Sequence, residues 1–246
     1  MKVGVFDSGI GGLTVVKSLL ENKLFEEIIY FGDTARVPYG TKDKNTIISY
    51  SLEALEFFKN FDIDMLIVAC NTASAYGIKE LKQNTNIPVI GVIESGVLAL
   101  KDIIKDKNKH ILVIGTTATI ASNLYETHLK NCKYTNITSI ATPLFVPLVE
   151  EGILSGNILQ ETMKHYFSDI KQSDVVILGC THFPLIEDEI SKFLNGVKTI
   201  HSGDAIVKLL KKRYNLKPFK DETKISFFAS SNPDKLKEVA HKWLNI

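Results

Sequence analysis

Two cysteines of this chain end apolar runs and are followed at once by polar residues. Cys70 ends the run Leu66–Cys70 and precedes Asn71, and Cys180 ends the run Val176–Cys180. A thiol at the N-terminus of a following helix has its thiolate favoured, so its pKa falls from about 8.5 toward neutrality. The alternative for Cys70 is a buried structural cysteine. Two thiols facing one carbon from opposite sides suit inversion of a stereocentre: one removes the α-proton as thiolate and the other returns a proton as thiol.

The turn Asp7–Gly12 follows the first apolar run and precedes a helical pattern. Its glycines allow a tight turn, and the N–H groups of the following helix would attract an anion. The third glycine position of the dinucleotide fingerprint is Thr14, so the turn does not favour a nucleotide. Helix capping by Asp7 or Ser8 is the alternative explanation.

Other turns hold further polar groups. His182, two residues after Cys180, could orient a ligand, stabilise a thiolate or relay a proton. Thr116 and Thr119 offer hydroxyls, although ordinary capping explains them equally well. The loop Pro38–Gly40 could line a pocket, or it could be a simple proline-containing turn.

The two cysteine-containing patterns recur at matched distances along the chain. The interval from Asp7 to Cys70 nearly equals that from Thr116 to Cys180, and each interval begins after one apolar run and ends after another. This repetition predicts two similar lobes, each of which contributes one cysteine.

Short apolar runs alternate with amphipathic stretches along most of the chain. Buried parallel strands are predicted at Val3–Phe6, Ile28–Phe31, Met65–Ala69, Val89–Ile93, Ile111–Ile114, Val175–Leu178 and Ile225–Phe228. Helices are predicted at Asp43–Phe58, Asn157–Phe167, Ala205–Tyr214 and Pro233–Leu244. The alternation predicts an α/β fold with parallel-rich sheets flanked by helices. Together with the repetition, it predicts two similar lobes and an active site in the cleft between them.

Composition excludes several classes of protein. The chain has 29 Lys+Arg and 28 Asp+Glu, a formal net charge of +1, which argues against nucleic acid as a partner. No apolar stretch approaches the ~18 residues of a membrane-spanning helix, and no signal peptide is expected, so we expect a cytoplasmic protein. Three cysteines form no disulfide framework and their spacing fits no zinc site. Cys132, in a polar segment, is expected to be non-catalytic.

Several motifs in order resemble those of glutamate racemases in the aspartate/glutamate racemase superfamily, over essentially the whole chain. They are Phe6–Thr14, Pro38–Gly40, Ala69–Ser74, Gly115–Thr116 with Ala118–Thr119, Pro143–Pro147 leading into Val149–Gly152, and Gly179–Leu185. The resemblance implies interconversion of L- and D-glutamate without a cofactor or metal, and supply of D-glutamate for bacterial peptidoglycan, hence for cell wall and cell shape.

The resemblance also implies roles for individual residues. The catalytic residues would be Cys70, Cys180, Asp7, His182 and Glu150, with Glu151 left open as the alternative to its neighbour. The substrate-binding residues would be Asp7, Ser8, Pro38, Tyr39, Gly40, Asn71, Thr72, Thr116, Thr119, Thr181 and His182. The first lobe would comprise residues 1–96 and 208–246 and the second residues 97–207, and a homodimer is expected.

Three alternatives stay open at this point. An aspartate racemase differs in its substrate by one methylene, which changes binding by only ~1–3 kcal/mol. A non-catalytic amino-acid-binding protein would bind without changing optical rotation. A nucleotide-binding enzyme is disfavoured by the broken glycine pattern.

Overall fold

The computed structural model describes residues 1–170, 172–218 and 221–245. The strands in these ranges are β1 (Lys2–Asp7), β2 (Glu27–Gly32), β3 (Met65–Val68), β4 (Val89–Gly91), β5 (Ile111–Gly115), β6 (Ile137–Ala141), β7 (Val175–Gly179), β8 (Lys198–His201) and β9 (Lys224–Ala229). The α-helices are α1 (Leu13–Glu21), α2 (Lys44–Phe58), α3 (Asn71–Tyr76), α4 (Ile78–Gln83), α5 (Val92–Ile103), α6 (Thr117–Ala121), α7 (Leu124–Asn131), α8 (Phe145–Glu150), α9 (Asn157–Phe167), α10 (Glu187–Phe193), α11 (Ser202–Arg213) and α12 (Pro233–Leu244).

The strands form two parallel sheets, one in each lobe. The first has the order β4-β3-β1-β2-β9 and the second the order β6-β5-β7-β8. Read in the opposite direction, the second sheet repeats the first four strands of the first, with β5 in the place of β1 and β7 in the place of β3. The predicted fold class is confirmed, and each cysteine follows the equivalent strand of its own sheet.

Both faces of each sheet are covered, as the continuous apolar runs require. On the first sheet, Val5 and Ile67 belong to the core that includes residues of α1 and α11, and Phe6 belongs to the opposite core, with residues of α2. Alternate residues of a strand point to opposite faces, so both sets are buried.

The sequence missed two strands and extended a third into the helix that follows it. β6 and β8 are edge strands whose residues are mostly partly exposed, so they lack the continuous apolar run that marks the central strands. The strand predicted at Val89–Ile93 ends at Gly91, and Val92 and Ile93 are instead buried in the first turn of α5.

Helices α5 and α11 pack against each other and connect the two sheets. The lobe boundaries drawn from the sequence, at residues 96/97 and 208, fall inside these two helices. The division of the chain at those positions therefore stays a prediction. Within the described ranges, no helix is long and apolar enough to cross a membrane.

Candidate active site

Both cysteines line one cavity between the carboxyl ends of the two sheets. Its volume is about 20 Å³. Its lining consists of Ser8, Val37, Pro38, Tyr39, Gly40, Cys70, Asn71, Thr72, Thr116, Val146, Gly179, Cys180, Thr181 and His182. Ligands of open parallel sheets bind beyond the carboxyl ends of the strands, and the cavity lies at that position in both lobes.

Three residues singled out from the sequence lie behind the lining. Asp7 contacts Thr181, Thr119 contacts Thr116, and Glu150 contacts His182. The sequence also missed three lining residues, Val37, Val146 and Gly179. They carry no reactive group: Val146 and Gly179 lie within the motifs Pro143–Pro147 and Gly179–Leu185, and Val37 directly precedes Pro38, but none was singled out as a site residue.

Cys70 follows β3 and is itself the N-cap of α3. Its sulfur accepts a hydrogen bond from Ala73 N at 3.5 Å, and its thiol donates to Ser8 Oγ at 3.4 Å. Burial, followed by the negative charge of Asp7, raises the pKa of Cys70 to about 12. The lowered pKa expected from the sequence is therefore wrong for Cys70, because burial and a nearby carboxylate outweigh one short helix N-terminus. Cys70 is a neutral thiol at neutral pH.

Asp7 joins the first turn to the second lobe. Its carboxylate accepts from Gly9 N at 3.0 Å and from Thr181 Oγ1 at 3.2 Å. Burial raises the pKa of Asp7, while the charge of His182 and these hydrogen bonds oppose the increase. Neither Asp7 nor Ser8 caps α1, whose N-cap is Gly12. A Cβ at Gly12 would lie 2.5 Å from Asp7 Cβ, so this position has room only for glycine.

Cys180, His182 and Glu150 form a chain of contacts on the other side. His182 Nδ1 lies 3.7 Å from Cys180 Sγ, and His182 Nε2 lies 2.7 Å from Glu150 Oε1. Burial lowers the pKa of His182, but its bonds to Cys180 and Glu150 outweigh burial and raise the pKa to about 10. At neutral pH the ring is an imidazolium, and its Nδ1 faces the Cys180 sulfur. Glu151 is exposed, so Glu150 is the glutamate that faces this group.

Three threonine hydroxyls meet where the lobes touch. Thr72 Oγ1 lies 2.9 Å from Thr116 Oγ1 and 3.0 Å from Thr119 Oγ1. Thr116 also caps α6, since its hydroxyl accepts from Thr119 N at 3.2 Å. Capping and cavity lining are thus both true of Thr116. A Cβ at Gly40 would lie 2.4 Å from Thr116 Cβ, so the loop can approach only because residue 40 is glycine.

Asp33, which the sequence did not single out, holds the loop that contains Tyr39. Its fully buried carboxylate accepts from the Tyr39 hydroxyl, from Arg36 Nε at 2.7 Å and from Ser230 Oγ at 2.7 Å. Ser230 follows β9, so the C-terminal segment supports this wall of the cavity. Asp33 follows β2 directly, a strand-end position that could have indicated it.

Two further features concern metals and the third cysteine. Across the described ranges, no group of three or more His, Cys, Asp and Glu side chains is arranged to hold a metal ion. Cys132 is a free, partly exposed cysteine at the C-terminal end of α7, and it does not line the cavity.

Known proteins resemble the chain over its full length. A family model described as Asp/Glu/Hydantoin racemase matches residues 15–210. A glutamate racemase of a Nitratiruptor species is 60% identical over 245 residues, which cover 99% of this chain and 96% of that protein.

Two solved structures share the arrangement of both lobes. The glutamate racemase of Campylobacter jejuni subsp. jejuni is 56% identical with a TM-score of 0.99, covering 100% of this chain and 99% of that one. The glutamate racemase of Francisella tularensis subsp. tularensis, solved in complex with D-glutamate, is 36% identical with a TM-score of 0.87, covering 100% of this chain and 94% of that one. Because the family model and the full-length relatives agree, the chain belongs to the Asp/Glu/hydantoin racemase family.

Proposed function

We propose that this chain is a glutamate racemase that interconverts L- and D-glutamate by proton transfer between two cysteines, without a cofactor. The observation that carries the proposal is a cavity lined by both Cys70 and Cys180 in a chain with full-length glutamate racemase relatives. Each cysteine follows the equivalent strand of its sheet, so the two thiols approach the cavity from different lobes.

In the proposed reaction, one sulfur takes the α-proton and the other supplies a proton to the opposite face of the carbon. The first sulfur changes from thiolate to thiol and the second from thiol to thiolate, so the protons balance and the reverse reaction uses the same pair. Cys70 is a neutral thiol, and the sulfur of Cys180 faces the His182 imidazolium. The cavity is therefore asymmetric, with a neutral thiol on the Cys70 side and an imidazolium beside the sulfur on the Cys180 side.

The residues around the cysteines have distinct proposed roles. On the Cys70 side, Asp7 would assist the proton transfer of Cys70. The Ser8 hydroxyl would accept a hydrogen bond from the Cys70 thiol, as it does at 3.4 Å. On the Cys180 side, Glu150 would keep His182 protonated through their 2.7 Å contact.

Substrate binding is assigned to the polar groups that line the cavity or support its lining. A glutamate carries two carboxylates and one ammonium, which require several donors and at least one acceptor. The set expected to provide them comprises Asp7, Ser8, Pro38, Tyr39, Gly40, Asn71, Thr72, Thr116, Thr119, Thr181 and His182. Preorganised donors of this kind would also stabilise the carbanion-like transition state.

The wider role follows from the same family membership. We propose that the product D-glutamate enters peptidoglycan synthesis in the bacterial cytoplasm, and that the enzyme is a homodimer. The division into residues 1–96 with 208–246 and residues 97–207 belongs to the same proposal, because the cavity then lies between the two lobes.

A polarimetric assay tests the proposed activity. L-glutamate and D-glutamate are incubated separately with the protein, without added cofactor, and followed by circular dichroism. We expect the signal of each to decay to that of the equal mixture. Aspartate serves as the comparison: faster decay with aspartate would identify an aspartate racemase, and binding without decay would identify a non-catalytic protein.

A further inference from the structure

Tyr125 on α7 contacts both turns that carry a cysteine. Its buried hydroxyl donates to Asn71 Oδ1 at 2.7 Å, and Asn71 directly follows Cys70. Its ring packs on Gly179, which precedes Cys180: a Cβ at Gly179 would lie 3.2 Å from Tyr125 Cε2. One rigid side chain therefore spans the distance between the two halves of the site.

The surroundings hold Tyr125 in this position. On the side of α5, a Cβ at Gly96 would lie 3.5 Å from the ring and from the hydroxyl oxygen, so the ring passes close to that helix. Tyr125 is 3% exposed. Burial, with the charge of Cys180, raises the pKa of Tyr125, so its hydroxyl remains a donor to Asn71.

Asn71 is fixed from two directions. While its carbonyl oxygen accepts from Tyr125, its Nδ2 donates to Ser202 Oγ at 3.2 Å. Tyr125 and Ser202 lie on different helices, α7 and α11, and Asn71 lies on α3. Moving any one of these helices would therefore move the turn after Cys70.

A two-base inversion is sensitive to the separation of its bases. Both sulfurs must reach one α-carbon from opposite faces in the same complex, and misplacement by about 1 Å can cost about a hundredfold in rate. A side chain that touches the residue after one cysteine and the residue before the other can set that separation.

We infer that Tyr125 is a positioning residue that sets the spacing between Cys70 and Cys180 through its hydroxyl on Asn71 and its ring on Gly179. This inference rests on the proposed two-cysteine reaction. In this role Tyr125 contacts neither sulfur. It affects the rate of inversion by holding the two cysteine turns at a fixed distance.

The test separates inversion from proton removal. Tyr125→Phe keeps the ring and deletes the bond to Asn71. With glutamate, the enzyme needs both sulfurs. With β-chloroglutamate, it needs only one, since the α-carbanion expels chloride and the resulting enamine hydrolyses to ammonia and an α-keto acid. Saturating rates of racemisation and of chloride release are measured for the wild type and for the variant.

Tyr134, in the segment that follows α7, provides a matched control. Tyr134 is also buried in the second lobe, and its hydroxyl donates to the Ile104 carbonyl, away from the cavity. Tyr134→Phe removes a comparable buried hydrogen bond, about 0.5–1.5 kcal/mol of stability. Thermal denaturation checks that both variants are folded.

For Tyr125→Phe we expect the racemisation rate to fall about tenfold or more and the ratio of chloride release to racemisation to rise severalfold. For Tyr134→Phe we expect an unchanged ratio. The inference is overturned if Tyr125→Phe lowers both rates by the same factor, if it lowers neither, or if Tyr134→Phe changes the ratio equally. If the wild type itself fails to racemise glutamate, the proposed function fails instead.

Discussion

Replacing Glu150 by glutamine tests whether its carboxylate keeps His182 protonated beside Cys180. The substitution keeps the size of the side chain but exchanges a charged acceptor, 2.7 Å from His182 Nε2, for a neutral one. A hydrogen bond to a charged group contributes about 1.5–3 kcal/mol, against about 1 kcal/mol for a neutral pair. The difference is about 0.5–2 kcal/mol, and one pKa unit corresponds to about 1.4 kcal/mol. The pKa of His182, about 10 in the wild type, should therefore fall by about one unit.

This change should appear at the alkaline end of the pH dependence of the racemisation rate. We expect the wild-type rate at saturating glutamate to decline as pH rises through about 10, where His182 loses its proton. In Glu150→Gln the decline should begin about one pH unit lower, in line with the lowered pKa. Rates are measured by circular dichroism from neutral pH upward, with both enantiomers.

Glu151→Gln is the matched control, because Glu151 is adjacent in sequence but exposed. It should retain the wild-type profile. The reasoning would be refuted if the alkaline limb of Glu150→Gln coincided with that of the wild type, or if Glu151→Gln moved the limb equally.

The remaining predictions concern stability and packing. The pKa of His182 rises from its ordinary value of 6.5 to about 10 on folding. The stability that this shift contributes is complete below about pH 6.5 and is lost as the pH rises toward 10. The loss of thermal stability at alkaline pH should therefore be smaller in Glu150→Gln than in the wild type. Gly40→Ala would place a Cβ 2.4 Å from Thr116 Cβ, and it should cost ~1–3 kcal/mol of stability and raise KM for glutamate, as denaturation and kinetic measurements can check. Gly96→Ala meets Tyr125 only at 3.5 Å within α5, so it should add ~0.5–1 kcal/mol of stability and raise Tm by a few degrees; a lowered Tm would show that the ring has no room.

The central strands and the cysteine turns could be predicted from the sequence because their signals are local. Each central strand is a continuous apolar run, and the run Leu66–Cys70 is buried throughout. Helices α9 and α12 begin and end where their apolar spacing indicates, at Asn157–Phe167 and Pro233–Leu244. Because ligands of parallel sheets bind beyond the carboxyl ends of the strands, the residues around Cys70 and Cys180 could then be predicted to share one site.

What could not be predicted depends on contacts between distant segments. Tyr125 bonds to a residue 54 positions away, and Ser230 to one 197 positions away. The choice between Glu150 and Glu151 depends on which side of α8 faces His182. The raised pKa of Cys70 depends on burial and on Asp7, neither of which is visible in the local sequence. The edge strand β6 lacks an apolar run, because its residues are only partly buried.

Isotope exchange in heavy water, with variants of each of the three cysteines, tests the two-cysteine reaction most directly. Each enantiomer of glutamate is incubated with the wild type, Cys70→Ser, Cys180→Ser and Cys132→Ser, and the deuterium content of the α-carbon is determined by mass spectrometry after separation of the enantiomers. We expect the wild type and Cys132→Ser to form the opposite enantiomer carrying deuterium, and both Cys70→Ser and Cys180→Ser to lose racemisation in both directions. Inversion without deuterium uptake, or undiminished racemisation by either of the latter two variants, would contradict the account.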